Sequence, residues 1–500
     1  MPLSTPSCYE WFKPLKFLFD TNTIIPAEPV NQSDIEATTP TVSNLLGLIA
    51  AAKFEVYIHP VSAQEIKRDC NQDRRNVRLQ LLSKYERLPA PPNLSEKFGS
   101  TVSKPKADSH SEKDAIILSA VLSNAVDFLV TEDSGIHKWA IRLSIENRVL
   151  TAAEAIATVR GLLPQKVEPP PAVRFVYCHE LNVKDAIFDT LRADYAGFDN
   201  WLAKCQRQHR RAFLVEESGG HSAIAIIKLE DSNNLGIPSP TLKICTFKVS
   251  DTARGYRYGE LLLSAVFNYI HTKEISYAYL TTFSKQAGLI RFLEQFGFVE
   301  HPLHKGSEKI FLKSFKPEGS TALVLSPLEF HKRYGPYRFK LDGVKCLVVP
   351  IQPRWHEMLF PELEEQLNLF AGSKACGNSI LKAYLCNASM KEIEPGSVLL
   401  FYRSQGASYI QAIGVVDRCM RSRSANEIAQ FVGKRTVYSF QSIEEMCQKE
   451  TLAILFRYAK SMSPIQLPRL VEEGVLTAAP QQICRVRVEG ERWIKEMIER

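Results

Sequence analysis

The stretch Thr241–Ile270 changes its hydrophobic period once. Through TLKICTFKVSD (241–251) apolar and polar residues alternate, the period of a half-buried strand, whereas LLLSAVFNYI (261–270) reads as one buried helix. The junction TARGYRYGE (252–260) is basic and holds Gly255 and Gly259. A strand running through such a turn into a helix leaves the first helical amides without intrahelical partners and aims the positive end of the helix dipole at whatever lies in front. That is an anion site of the kind that receives a pyrophosphate, and it demands an α/β domain around it. The competing reading is that both glycines serve only a tight turn and close helix packing.

At 500 residues the chain exceeds what one hydrophobic core serves, so three or four domains are expected. The proline run VEPPPAV (167–173) marks one boundary, and SFKPEGS, Gly335-Pro336 and Asp342-Gly343 mark a second between 315 and 345. The blocks are 1–165, 172–316 and 340–500. With 45% hydrophobic and 23% charged residues the chain is globular, not disordered. Its longest apolar runs, such as LLGLIAAA (45–52), fall short of the roughly 18 residues that cross a bilayer, and no secretory h-region opens the sequence. The expectation is a soluble, cytoplasmic protein without a membrane partner. Eleven scattered cysteines without a CxxC signal neither a zinc site nor a disulfide framework, and a net charge of +7 permits a polyanionic partner without requiring one.

In the first block, LKFLFDTNTIIP (15–26) ends a short apolar strand at Asp20, and FEVYIHPVSAQEI (54–66) runs from a strand into a helix carrying Glu65. SEKDAIILSAVLSNA (111–125) is an apolar helix opening at Asp114, and DFLVTEDSGI (127–136) ends a buried strand at Thr131, Glu132 and Asp133. Carboxylates delivered in one polarity at strand ends suit Mg2+ or Mn2+, which take oxygen ligands and activate water against a phosphodiester. The alternative is helix capping, since Ser62 with Glu65 and Ser111 with Asp114 both fit a capping box. His59 and His110 read as turn or surface residues. The order of acids resembles the PIN nuclease family, which implies Asp20, Glu65, Asp114 and Asp133 as catalytic metal ligands, with Asn22 and Thr131 as hydrogen-bonding neighbours. Glu132 competes with Asp133, and Asp108 and Glu112 compete with Asp114.

The second block resembles the GNAT acyltransferases, whose R/Q-x-x-G-x-G/A motif opens the helix that binds the pyrophosphate of acetyl-CoA. Arg254 takes its first place and Gly259 its last, followed by the helix and by a terminal Gly-Phe in FLEQFGF (292–298). The resemblance implies Val249, Arg254, Gly255, Tyr256, Arg257, Tyr258 and Gly259 as the cofactor-binding set. Two positions depart from the pattern. Arg257 replaces the central glycine, so its side chain is expected either in solvent or on a phosphate, and Leu293 stands where the family often carries a tyrosine acid. Glu216, Glu217 and Asp251 are candidate bases.

In the third block, NSILKAYLCNASMKEIEPGSVLLFYRSQGASYIQAIGVVDRCMRSRS (378–424) resembles the PUA-like superfamily with its ASCH and EVE branches, although the ASCH motif G-x-K-x-x-E-x-R is absent. Basic residues interleaved with aromatic ones suit phosphate contact and base stacking, and Lys374, Lys382, Tyr402, Arg403 and Arg418 are the candidate nucleic-acid contacts. Tyr384, Arg421 and Arg423 join them, and a solvated face is the alternative.

The expected fold class is α/β multidomain: a PIN-like parallel α/β sandwich, a GNAT-like mixed α/β domain and a PUA-like β-barrel with helices. The expected function is a metal-dependent endoribonuclease fused to an N-acetyltransferase and an RNA-binding module, toxin-like or stress-related. RNA, an unidentified acceptor amine, an antitoxin and a second copy of the chain are the partners considered. The alternatives are an acetyltransferase whose flanking domains only bind nucleic acid, and a non-catalytic adaptor that senses acetyl-CoA.

Overall fold

The computed structural model describes residues 13–499 except 28, 30–35, 37, 68, 69, 103, 104, 107, 108, 165–170, 218, 234, 364–378 and 407. The chain forms two compact units: Met1–Pro164 together with Ser422–Glu450, and Gln165–Arg421 together with Thr451–Arg500. Among the described residues no helix is long and apolar enough to cross a membrane.

The first unit is built on a five-stranded sheet of β1 (Lys16–Phe19), β2 (Glu55–Ile58), β3 (Glu86–Arg87), β4 (Phe128–Val130) and β5 (Val149–Leu150), in the order β3-β2-β1-β4-β5. All its pairings are parallel. Phe17, Leu18 and Phe19 are fully buried, as the apolar run predicts for a strand covered on both faces, and Phe17 stacks on Phe128 at 5.0 Å. The order reverses between β1 and β4, so the ends of these two strands flank the switch point at which open α/β sheets gather ligands.

This unit also contains a piece that the sequence blocks assign elsewhere. The helices Ala425–Val432 and Phe440–Cys447 lie within 340–500, yet they pack on the first block. Asn426 Nδ2 and Gln430 Nε2 donate to the buried Asp127 carboxylate at 3.2 and 2.6 Å, and Lys434 Nζ meets Glu154 at 2.7 Å. Phe440 sits edge-on to Phe54 at 5.6 Å. Such long-range pairing leaves no periodic or compositional trace.

The second unit carries two sheets. One has seven strands, β6 (Arg174–Tyr177), β7 (Arg211–Glu217), β8 (Gly220–Glu230), β9 (Thr241–Val249), β10 (Tyr277–Phe283), β11 (Val299–Lys305) and β12 (Glu308–Ser314), ordered β11-β12-β10-β9-β8-β7-β6. Its pairs are antiparallel except β9 with β10. The period of two shows in the cores: Phe213, Val215, Ala223 and Ala225 pack with the helix Tyr258–Thr272, while Ala212, Leu214, Ile224 and Ile226 pack on the opposite face with the helix Phe198–Arg207. Wholly buried Lys313 of β12 donates to the carbonyls of Lys332 at 3.1 Å and Arg333 at 3.2 Å, near the C-terminus of the helix Pro327–Tyr334.

The other sheet has six strands, β13 (Cys346–Ile351), β14 (Leu381–Cys386), β15 (Val398–Arg403), β16 (Tyr409–Ser422), β17 (Thr451–Gln466) and β18 (Cys484–Arg485), ordered β14-β17-β16-β15-β13-β18. It is mostly antiparallel, with β13 and β15 parallel. Among the described residues no pairing joins β14 to β18, so an open sheet stands where a closed barrel was expected.

Candidate active site

The parallel pairing of β9 and β10 begins at Thr241–Tyr277 and stops at Ile244–Leu280. There the β8–β9 register slips, with Ile227 facing Ile244 and Ile226 facing Thr246, so Cys245 is the extra residue of a bulge. A bulge bends its strand. Beyond it β9 stays with β8 as far as Val249 opposite Ala223, while β10 continues to Phe283, and the two strands part as a fork.

The chain leaves β9 through a short 3-10 turn at Asp251–Ala253 and enters the helix Tyr258–Thr272. Gly255 takes a φ of +87°, where other residues would be strained. Gly259 lies in the first turn of the helix. A Cβ there would meet Phe292 and Phe247 only at 3.5 and 3.8 Å, so protein packing does not demand this glycine. What it leaves open is the approach to the helix's first amides, and the turn therefore fits a diphosphate. Arg254 is part-exposed beside the turn and paired with Asp251 at 2.6 Å, which ties up one candidate base.

Arg257 does neither of the things expected of it. It holds φ +61° as the residue before the helix, and its side chain turns inward, 4% exposed, with Nε 3.1 Å from Glu260 Oε1. Glu260 also accepts from Ser379 Oγ at 3.1 Å and from the backbone amides of Ile380 at 2.8 Å and Leu381 at 3.3 Å. The side chain is thus committed to a buried ion pair that ties the turn to the start of β14. Sequence reasoning missed Glu260, because a glutamate in the first turn of a helix reads as a dipole partner and nothing more.

Around the fork, the Tyr258 hydroxyl donates to Glu217 Oε1 at 2.5 Å, and Ser222 Oγ donates to Glu217 Oε2 at 3.3 Å. Glu217 itself is exposed. Glu216 faces Arg174 and His221 Nδ1 instead. Leu293 is buried in the core, so no side-chain acid stands at that place. Tyr256 stacks on Tyr258 at 5.6 Å.

In the first unit, Asp20 follows β1 and is buried, accepting from the Thr21 amide at 2.7 Å and from Thr131 Oγ at 2.8 Å, while Asn22 Nδ2 reaches Thr131 Oγ at 3.4 Å. Asp133 caps the helix Ser134–Arg142 through the amides of Gly135 at 2.6 Å and Ile136 at 2.9 Å, and Glu132 accepts from the Ala152 amide at 2.9 Å. Both competitors for the fourth acid are therefore satisfying helix amides. Capping does not account for the other two acids: the helix His110–Leu122 is capped by Ser109 with the Glu112 amide at 3.1 Å, and Ser62 lies inside the helix Pro60–Lys67. The Glu65 side chain and Asp108 lie outside the described residues. Among those that are described, no three His, Cys, Asp or Glu side chains gather around a common point, so they do not assemble the expected Mg2+ or Mn2+ site. His59 is not on the surface; it is 3% exposed, and burial brings its pKa down to about 4.

The third set fares differently. Lys374 lies outside the described residues. Lys382 and Tyr402 are each 1% exposed and so present nothing to a nucleic acid. The reason is that β14 and β15 are buried on both faces, where side chains of either parity point into protein. Lys382 Nζ donates to the Leu359 carbonyl between the rings of Phe360 and Tyr458. Tyr384 donates to the Pro350 carbonyl at 2.8 Å, Arg403 pairs with Glu357 at 3.0 Å, and exposed Arg418 lies 3.6 Å from Asp417.

A seven-stranded sheet forked after its fourth strand, with a glycine turn and a helix N-terminus at the fork, has the layout expected of a GNAT-like α/β domain. In agreement, residues 176–298 match the Acetyltransferase (GNAT) family. No curated protein matches the sequence at a significant level. Among solved structures, the chain is similar to an ASCH protein from Zymomonas mobilis, at 14% identity over 31% of this chain and 95% of that one, with a TM-score of 0.25. It is also similar to the yncA protein of Salmonella typhimurium with its cofactor acetyl-CoA, at 16% identity over 30% and 97% of the two chains, with a TM-score of 0.25. A ribosomal-protein-alanine N-acetyltransferase from Brucella melitensis gives 15% identity over 29% and 99%, with a TM-score of 0.24. At such scores the family match, not these likenesses, carries the weight.

Proposed function

We propose that the protein is an acyl-CoA-dependent N-acyltransferase acting at the fork between β9 and β10. The observation that carries this reading is that the parallel pairing ends at Ile244–Leu280, while β9 runs on to the Gly255–Gly259 turn and the N-terminus of the helix Tyr258–Thr272. Val249 at the end of β9 and the backbone of Arg254, Gly255, Tyr256, Arg257, Tyr258 and Gly259 hold the cofactor. Acetyl-CoA supplies an activated acyl thioester. Glu217, fixed by Tyr258 and Ser222 yet open to solvent, takes the proton of the acceptor amine. Leu293 offers no proton, so the departing thiolate takes one from water. Calorimetric titration with acetyl-CoA, together with mass-spectrometric detection of acetyl transfer to polyamines, to RNA and to protein lysines, tests the assignment. Glu217→Gln is expected to keep the affinity and to lose about 10²- to 10⁴-fold in turnover, and Gly259→Glu to lose binding. Absence of acetyl-CoA binding to the wild type at millimolar concentration sinks this reading, and binding without transfer to any acceptor favours the sensing adaptor.

A second reading, metal-dependent cleavage of RNA by the first unit, has one observation in its favour: buried Asp20 stands beside Thr131 at the switch point of a parallel sheet. Mn2+ titration of the wild type and of Asp20→Asn, with labelled RNA as substrate, tests it. Equal manganese affinity in both proteins removes it.

A further inference from the structure

A stacked column stands at the free edge of the seven-stranded sheet. β6 is the edge strand, and its Phe175 and Tyr177 are 37% and 40% exposed. Arg211 of β7 lays its guanidinium over both rings, 4.3 Å from the Phe175 centroid and 3.9 Å from that of Tyr177. The column continues into exposed His179, whose ring lies 5.3 Å from Tyr177 and within 11° of parallel. His209 stands edge-on to both, 5.8 Å from His179 and 6.4 Å from Tyr177. It is exposed, and its backbone takes φ +50° just past the helix Phe198–Arg207.

The charge around this column is mostly positive. The run KCQRQHRR (204–211) supplies Lys204, Arg207, Arg210 and Arg211, and among the described residues none of the four has a carboxylate within 4.0 Å, although Arg210 turns away from the column to Gln208 Oε1 at 2.8 Å and Cys245 Sγ at 3.5 Å. Of the neighbouring acids, Glu216 is paired with Arg174, while exposed Glu180 accepts the Tyr177 amide at 2.5 Å and keeps its charge, so the cations remain in excess. Docking of an apolar helix would strip water from these cations with no return, and a second copy would present the same positive surface. Exposed ring faces flanked by an excess of positive charge match one chemistry, a base carried on a phosphate backbone.

We propose that single-stranded nucleic acid docks on this edge. Bases stack on the end of the column formed by His179 and His209, and phosphates lie against Lys204 and Arg207. Arg211 stiffens Phe175 and Tyr177 from beneath and keeps the edge of its guanidinium for a phosphate. Register relates the edge to the fork. Tyr177 pairs with Arg211, Arg211 with Ile227, Ile227 with Ile244 and Ile244 with Leu280, so the column lies on the cross-strand row at which the fork opens. Three strand spacings of about 4.8 Å separate β6 from β9, roughly 14 Å. If the acyltransferase reading holds, a docked strand places its own amines within a few nucleotides of the fork. Binding itself does not rest on that reading.

The test is fluorescence anisotropy of the full chain with a labelled oligouridine of about twelve nucleotides, at salt concentrations between about 50 and 200 mM. The His179→Ala/His209→Ala double variant is expected to bind about tenfold more weakly. Lys204→Ala with Arg207→Ala should reduce the slope of log K against log salt by about 1.4, some 0.7 for each lost charge. Arg492→Ala, on an exposed side chain remote in sequence, should change nothing. Acetyl-CoA affinity, measured in parallel, should stay at its wild-type value and report an intact domain. Failure of the wild type to bind the oligonucleotide overturns the proposal. So does unchanged binding in both variants, or light scattering that shows the variants dissolving a self-association while nucleic-acid affinity stays constant.

Discussion

Replacing Glu260 by glutamine tests the inward turn of Arg257. Two consequences follow from the geometry. The guanidinium, 4% exposed, loses the carboxylate 3.1 Å from its Nε, and the amides of Ile380 and Leu381 with the Ser379 hydroxyl lose a charged acceptor. Removing one member of a buried pair costs about 3–5 kcal/mol, since the remaining charge is left uncompensated. Because the loss is local, it is best read by hydrogen exchange at Ile380 and Leu381. A change of about 3 kcal/mol in local opening accelerates exchange roughly 150-fold. Arg257→Gly should be milder. It relieves about 1–2 kcal/mol of left-handed strain at φ +61°, and it leaves Glu260 three hydrogen-bond donors. Acetyl-CoA affinity should change little in Arg257→Gly, because the proposed cofactor contact is through the backbone of the turn and the guanidinium is turned inward to Glu260. Wild-type exchange at Ile380 and Leu381 in Glu260→Gln, or loss of acetyl-CoA binding in Arg257→Gly, would refute the reasoning.

Other sites give further expectations. The Tyr402 hydroxyl is buried without a hydrogen-bond partner among the described residues, so Tyr402→Phe should be neutral or stabilising by about 1 kcal/mol in thermal unfolding and should leave nucleic-acid affinity untouched. Burial, with Arg457 and Arg333 nearby, holds the Lys313 ammonium well below its usual pKa. The unfolded chain therefore binds the extra proton, stability should rise as pH climbs towards 10.5, and urea titrations of Lys313→Met should lose that slope. Burial raises the pKa of Glu154, but Lys434, the Thr151 backbone and His137 outweigh it and bring it down to about 2. Its stabilisation is thus complete above pH 4.5 and fades as pH falls towards 2. The side chain is 35% exposed, so the effect is modest, and it should vanish from the acid unfolding curve of Lys434→Met.

The strand, glycine turn and helix at 241–270 were legible because a change of period and two glycines are local signals. The fork was not, since the bulge at Cys245 is a relation between strands. Asp20 stood out as an acid ending an apolar run, and it is buried there. Asp133 looked identical in sequence, but its carboxylate is spent on Gly135 and Ile136. Lys382 and Tyr402 misled because a strand buried on both faces shows no alternation, and a lone polar residue within it passes for a surface one. The exposed column was readable in part: RQHRR (207–211) is a basic run, but its neighbours in FVYCHE (175–180) come from another strand. Only the β6–β7 pairing brings Tyr177 opposite Arg211.

The path of the chain through the first unit bears on how the protein is made. Residues up to Pro164 leave the ribosome early, but the helices that cover Asp127 and Glu154 are not synthesised until Glu450 is reached. At about 5–20 residues per second the first unit waits on the order of half a minute, with that face uncovered, while the seven-stranded sheet is synthesised and folds. A nascent chain arrested before Ser422 should therefore be open to proteases and chaperones at the Asp127 face, and supplying residues 422–450 as a separate peptide should close it.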